Sequence, residues 1–237
     1  MDSQGIEAFH DVQRLIVVGA HADDAETMCG GTLALLARRG VQIFLVNCTL
    51  GDLGAQDGST LRPALAATRM QETEAAARIL GIQSTFTLGY HDGELLPSLE
   101  LRAELTRLYR ITGADTMFTF DPYWTGQIHP DHRAAGQAAL DAFIPAKMPL
   151  YRPEQLAAPG AALSRLERIF LFATGGDPDV IVDVTPVYGV KMEACLAHVS
   201  QFPEGEKSLE WMRELDRDRG EAAGLPYAEA FRRVEVW

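Results

Sequence analysis

Cysteine is scarce in this chain. The three present, Cys29, Cys48 and Cys195, are odd in number and show no C-x-x-C spacing, so no disulfide framework is expected and a reducing compartment is the simpler setting. Positive charge is also short. Twenty-one basic side chains face 33 acidic ones, a net charge of -12, which argues against nucleic acid because phosphate binding needs clustered Lys and Arg. No apolar run reaches the roughly 18 residues a membrane span requires. The N-terminal stretch Met1–Asp11 is polar and acidic and lacks the apolar segment of a signal peptide, so a cytoplasmic location is expected. Nucleotide-binding glycine patterns are missing: no G-x-G-x-x-G or G-K-[ST] follows the first apolar run. No G-x-S-x-G elbow is present either. No internal repeat, charge run or low-complexity linker divides the chain, so one domain over residues 1–237 is expected.

What is present is an alternation. Arg14–Ala20 and Val41–Cys48 are nearly continuous apolar runs, the pattern of strands buried on both faces of a parallel sheet. Ser84–Leu88 and Asp115–Phe120 read as the third and fourth strands. Between them, Gly30–Arg39, Pro63–Leu80 and Leu99–Ile111 read as helices, closed by Gly40, Gly81 and Gly113. Leu50–Ser59 reads as a loop, and Asp131–Phe143 as a further helix. This succession predicts an α/β, Rossmann-like three-layer fold with a mostly parallel sheet and right-handed crossovers. Beyond it, Pro145–Gly160 holds four prolines and reads as a surface excursion. Arg168–Thr174 and Val180–Val184 suggest two more strands. Thr185–Gln201 and Lys207–Ala223 suggest two more helices.

Ligands of such sheets bind at the carboxyl ends of the strands. The first strand leads into His21-Ala-Asp23-Asp24, and the fourth leads through Asp121 to His129-Pro-Asp131-His132. The two histidine-bearing polar segments therefore emerge at the same end. Zinc takes imidazole nitrogen and carboxylate oxygen, three protein ligands plus water where it is catalytic. One ligand set drawn from both loops is His21, Asp24 and His132. A single H-x-D-D after a strand is usually just a polar loop. Two such clusters after parallel strands give buried carboxylates and imidazoles a common reason to be there.

At these residues the chain resembles the PIG-L / LmbE-like zinc-dependent deacetylases, which include N-acetylglucosaminyl deacetylases and amidases of thiol-cofactor metabolism. Ala20-His-Ala-Asp-Asp-Ala-Glu26 matches the family's A-H-P-D-D-E with two departures, and His129–His132 keeps H-P-D-H intact. Gly30–Ala34, Arg69-x-x-Glu72, Leu88-Gly-Tyr-x-Asp92-Gly, Asp183-Val-Thr185, Ala197-His-x-Ser-Gln201 and Tyr227–Phe231 also fit, so the resemblance spans nearly the whole chain. Ala22 stands where the family has proline, which loosens the loop. Ala25 shifts Glu26 out of register with the family's glutamate. The resemblance implies one Zn²⁺ per chain, held by His21, Asp24 and His132. It implies Asp23 as general base toward metal-activated water. It implies His129 as stabiliser of the oxyanion or proton donor to the leaving amine, with Asp131 orienting His129.

Arg69 matches a substrate-binding arginine of the family, or is a solvated surface arginine. Asp92 binds sugar hydroxyls or forms an Asp-Gly turn. His198 is either a structural histidine or a pocket residue, and the reach of His91 is open. Gln127 is a weak candidate oxyanion donor. Tyr123 and Trp124 either wall a sugar site or pack their loop. The expected substrate is a small N-acetyl amino sugar of the N-acetylglucosamine type. Neither nucleic acid nor membrane is an expected partner, and a homo-oligomer is expected. An amidase of thiol-cofactor conjugates is the nearest alternative. A metal-binding protein without catalysis is a second, disfavoured by the presence of both Asp23 and His129.

Overall fold

The computed structural model describes residues 5–236 apart from positions 56 and 177. Residues 1–4 of the polar N-terminal stretch lie outside the described residues. Seven strands form one sheet in the order β3-β2-β1-β4-β5-β7-β6. The first five are β1 (Arg14–Gly19), β2 (Gln42–Thr49), β3 (Ser84–Tyr90), β4 (Thr116–Phe120) and β5 (Arg168–Phe172). All pairings among these five are parallel. β6 (Val180–Asp183) and β7 (Ala228–Val234) complete the sheet, with β7 antiparallel to both its neighbours. The sequence reading missed β7: Gly224 and Pro226 do mark the end of the helix before it, but Ala228-Glu-Ala-Phe-Arg-Arg-Val234 shows no clean apolar alternation that would mark a strand.

Alternate strand residues feed two cores, the signature of a sheet covered on both faces. Leu15, Val17, Phe118 and Phe170 lie in one core, and Ile16, Val18, Met117 and Ile169 in the other. The first core is covered by α1 (Asp24–Arg38), α2 (Arg62–Leu80), α6 (Tyr188–Leu196) and α7 (Glu210–Ala223). The second is covered by α3 (Leu99–Thr112), α4 (Pro130–Asp141) and α5 (Phe143–Lys147). The three cysteines are buried and free. No helix among the described residues is long and apolar enough to cross a membrane.

α1 starts six residues before the Gly30–Arg39 helix read from sequence. It begins at Asp24 and breaks at Cys29, whose φ of -146° and ψ of 15° are not helical. The break frees the N–H groups of Gly31 and Thr32, and both donate to the Glu229 carboxylate, at 2.9 and 2.7 Å. Glu229 from β7 thus caps the second half of the helix. Its charge is met by Lys191 Nζ at 2.9 Å, which also reaches Asp216 at 2.6 Å, all three side chains being fully buried.

β1 has β2 on one side and β4 on the other, so successive crossovers leave the sheet in opposite directions there. That is the topological switch point, where the crevice at the carboxyl ends opens. Gly136 lets α4 press against β4, since a Cβ there would lie 2.5 Å from the Phe120 carbonyl oxygen. This close approach sets the amino end of α4 beside the end of β1.

Candidate metal centre at the switch point

The chain leaves β1 through Gly19 and turns so that Asp24 folds back under the strand end. Asp24 Oδ2 accepts from the N–H groups of Ala20 (2.8 Å) and His21 (2.7 Å). A Cβ on Gly19 would lie 3.1 Å from that of Asp24, so glycine makes the room. With Oδ2 engaged, Oδ1 faces His132 Nε2 at 3.3 Å. Asp23, between them in the turn, has φ 93° and ψ -20°, a left-handed conformation uncommon outside glycine and typical of functional turns.

From the other loop, Pro130 occupies the first turn of α4 and His129 caps it. His129 Nδ1 accepts from the Asp131 N–H at 3.2 Å. In the neutral ring the hydrogen therefore sits on Nε2. Burial and the nearby rings of His132 and His21 lower the His129 pKa, favouring that neutral form. His132 is stacked between Phe120 (centroids 4.0 Å apart) and His129 (4.5 Å). Its Nδ1 lies 3.1 Å from Gln127 Oε1, so the N–H points there and Nε2 presents its lone pair.

His21 is oriented the same way. Its Nε2 lies 3.1 Å from Asp92 Oδ1 and 3.2 Å from Asp131 Oδ2, both accepting carboxylates. Its Nδ1 then faces His132 Nε2 at 3.2 Å and Asp24 Oδ2 at 3.6 Å. Ligand atoms about 2.0–2.2 Å from one tetrahedral ion lie roughly 3.3–3.6 Å from each other, so the separations of His132 Nε2 from His21 Nδ1 (3.2 Å) and from Asp24 Oδ1 (3.3 Å) are of the size a shared metal ion needs. Burial disfavours charge on His21, but Asp131, Asp24 and Asp92 together raise its pKa to about 12. The pocket is short of positive charge, and a divalent cation meets that demand through the same nitrogen. The donor set fits a metal. His129 also places a ring nitrogen within 4.8 Å of those of His21 and His132, and His21, Asp92 and Asp131 form a second such group.

Asp131 requires a correction. Its carboxylate does not orient His129. Fully buried, it accepts from Gly93 N–H (2.7 Å) and Leu95 N–H (3.2 Å) and holds His21; only its backbone N–H serves His129. Arg69 is not a surface arginine. It is buried, donates to the carbonyls of Gly51 and Ala22, and stands 3.4 Å from Asp23 Oδ2. Asp92 is buried with its carboxylate between His21 and Arg69 rather than merely shaping a turn. Burial raises the pKa of Asp23 to about 6, against the opposing pull of Arg69.

His21, Asp23, Asp24, Arg69, Asp92 and His129 line one cavity of 290 Å³. All eight predicted site residues except Asp131 thus meet it, since His132 lines it too. A larger cavity, 560 Å³, lies at the opposite, amino ends of β1 and β4 beside Arg14 and Asp115, with no imidazole among its lining. His198 does not line the 290 Å³ cavity. It is fully buried and faces Glu26 at 3.4 Å. His91 is mostly exposed and bonds Asp52 at 2.8 Å. Gln127 serves His132 instead of an oxyanion. Only its position in the turn before H-P-D-H signals that role.

A sequence model of the PIG-L family, described as GlcNAc-PI de-N-acetylase, matches residues 16–143, which include both clusters. The chain is 31% identical over 230 residues to the diacetylchitobiose deacetylase of Thermococcus kodakarensis, covering 96% of this chain and 85% of that one. It is 29% identical to a probable N-acetyl-alpha-D-glucosaminyl L-malate deacetylase 2 of Bacillus cereus, over 80% of this chain and 84% of the relative. The structure of an N,N'-diacetylchitobiose deacetylase from Pyrococcus horikoshii superposes with a TM-score of 0.90 at 33% identity, covering 99% of this chain and 87% of that one. With that family match across both loops of the candidate metal centre, and a relative so similar along nearly its whole length, the chain belongs to the PIG-L family of deacetylases, hydrolases of carbon–nitrogen bonds other than peptide bonds.

Proposed function

We propose that this protein is a zinc-dependent deacetylase that removes the N-acetyl group from an N-acetylglucosamine-type amino sugar or its conjugate. The observation that carries the reading is the convergence of His21 Nδ1 and Asp24 Oδ1 on His132 Nε2, at 3.2 and 3.3 Å, with Asp23 beside them. His21, Asp24 and His132 would hold the ion, which would supply acidification of a water molecule and polarisation of the acetamide carbonyl.

The chain's own groups then divide the work. Asp23, with a pKa near 6, is ionised at neutral pH yet basic enough to take the proton of the attacking water. Its left-handed turn, pinned by Arg69 through the Ala22 carbonyl, aims the carboxylate into the cavity. His129 Nε2–H donates to the oxygen on which negative charge develops. Because the ring is neutral, it serves as a hydrogen-bond donor rather than a fixed cation. Asp23, once protonated, is placed to return the proton to the departing amine. The named relatives are a diacetylchitobiose deacetylase and a probable N-acetyl-alpha-D-glucosaminyl L-malate deacetylase, which supports an amino-sugar substrate here.

The experiment is acetate release from a panel of N-acetyl amino sugars by zinc-loaded protein, with metal content measured on the same preparation. Acetate from at least one N-acetylglucosaminide is expected. Metal-loaded protein that releases none from any of them would overturn the amino-sugar reading.

A further inference from the structure

Trp211, Leu215 and Arg219 recur every fourth residue along α7 and so share one face of it. Trp211 lines the catalytic cavity, while Leu215 and Arg219 line a second cavity of 570 Å³. Met28 and His132 border both, so the two cavities meet at the His132 ring. Phe120 and Trp124 form further wall. The indole lies against Gly175, where any side chain would collide with it.

The charge of the two cavities differs. The catalytic one carries Asp23, Asp24 and Asp92. No carboxylate among the described residues lines the second, where Arg219 is the one permanently charged group. Near the two cavities, Arg69 and Arg232 pair with carboxylates. Arg219 has no carboxylate within 4.0 Å among the described residues. The fields of Asp216 and Glu229 reach it, but both carboxylates are bound to Lys191. Arg219 is thus a partly buried cation that feels the Asp216 and Glu229 charge only at a distance, and it borders a cavity with no carboxylate among its described lining residues. Its guanidinium is left to find its direct hydrogen-bond partners in the cavity or in solvent. A planar guanidinium is suited to a carboxylate or phosphate, which it grips through two parallel hydrogen bonds.

We propose that this second cavity receives the part of the substrate remote from the acetamide, and that Arg219 selects an anionic substituent there, carboxylate or phosphate. The proposal rests on the deacetylase reading for its substrate. Trp124 and Leu215 supply apolar contact for the linking portion, and the anion neutralises Arg219.

The test compares specificity constants of metal-loaded protein on three probes: methyl N-acetylglucosaminide, its carboxymethyl counterpart, and N-acetylglucosamine 1-phosphate. Wild type is expected to favour an anionic probe over the neutral one by about 10- to 100-fold, the worth of a charge-assisted hydrogen bond. Arg219→Gln should collapse that ratio and Arg219→Lys should retain part of it. Whichever anionic probe is preferred tells carboxylate from phosphate. A wild-type ratio near unity, or a ratio that survives in Arg219→Gln, overturns the proposal; the wild-type ratio needs no variant to fold. If no probe releases acetate, the deacetylase reading fails on its own. Calorimetric binding of the corresponding glucosamine compounds then decides the subsite. Tighter binding of the anionic compound to wild type, lost in Arg219→Gln, supports it, and equal binding of neutral and anionic compounds overturns it.

Discussion

His21 Nδ1 and His132 Nε2 stand 3.2 Å apart, and each ring is turned to that position by an acceptor on its opposite nitrogen. For His21 the acceptor is Asp131, 110 residues away; for His132 it is Gln127, five residues away. With both outer N–H groups committed to those acceptors, the facing nitrogens need a cation between them: a proton on His21, which its pKa of about 12 in the protein alone supplies, or a metal ion in that proton's place.

Purified protein should therefore hold about one divalent ion per chain. His21→Ala, Asp24→Ala and His132→Ala should each lose it. Proton and metal compete for His21, whose pKa is about 12 in the protein alone, so uptake should strengthen as pH rises. Metal analysis after dialysis is the check. Wild-type stoichiometry in all three variants would remove the ligand assignment.

Gln127→Ala takes away the acceptor that fixes the His132 tautomer while leaving every ligand in place. Loss of such a partner typically costs 10–100-fold in metal affinity, and about that loss is expected here. Gln127→Glu, which still accepts, should keep most of it. Competition with a chromogenic chelator measures the affinities. An Ala variant that binds as tightly as wild type would leave Gln127 only a packing role.

Much of this site was legible because both clusters follow parallel strands, and strand ends at a switch point are fixed by topology alone. What was not legible depends on contacts between distant segments. Asp131 was assigned to its neighbour His129, yet its carboxylate serves His21 across 110 residues. Arg69, polar and mid-helix, suited a solvated face, and only the approach of the Ala22 and Gly51 carbonyls buries it. Gly30-Gly31 resembled a helix start because the true start at Asp24 is followed by a break at Cys29, and Glu229, 198 residues on from Gly31, caps it.

Asp23→Asn should leave metal content unchanged and lower turnover by about 10²–10⁴-fold, the usual worth of a general base. The base works only when ionised, so wild-type kcat/KM should fall as pH drops through the Asp23 pKa. That pKa is about 6 in the protein alone, and a neighbouring metal cation moves it lower. The acid limb should therefore lie at or below ~pH 6. Loss of metal in Asp23→Asn would make Asp23 a ligand instead.

Asp52 ties the loop after β2 to the loop after β3. It accepts from Arg62 (2.8 and 3.1 Å), from the Asp92 N–H (2.9 Å) and from His91 (2.8 Å). Burial opposes its ionisation, but these hydrogen bonds hold its pKa well below the usual carboxylate range. A depressed pKa gives stability that is present above the unfolded value, ~3.9, and is lost as pH falls through the folded one. Asp52→Ala should cost about 1–3 kcal/mol at neutral pH, with buried donors left unmet. The gap to wild type should persist at ~pH 5 and close only below ~pH 3.9. Urea midpoints across that range would show it, and a gap that instead widens in acid would contradict it.

Arg69 links loop geometry to proton affinity. Its guanidinium holds the Ala22 and Gly51 carbonyls and stands 3.4 Å from Asp23. A cation there stabilises the ionised carboxylate and opposes the effect of burial on Asp23. Arg69→Ala removes that cation, so the Asp23 pKa should rise and the acid limb of kcat/KM should move to higher pH. Arg69→Lys keeps a charge but not the fork, so its limb should stay near that of wild type while kcat falls because the turn carrying Asp23 is less firmly held. Metal content should remain normal in both, since no ligand is touched. A role confined to substrate binding would raise KM without moving the limb. Full pH profiles of the two variants therefore separate the roles, and an unshifted limb in Arg69→Ala would make Arg69 a substrate contact alone.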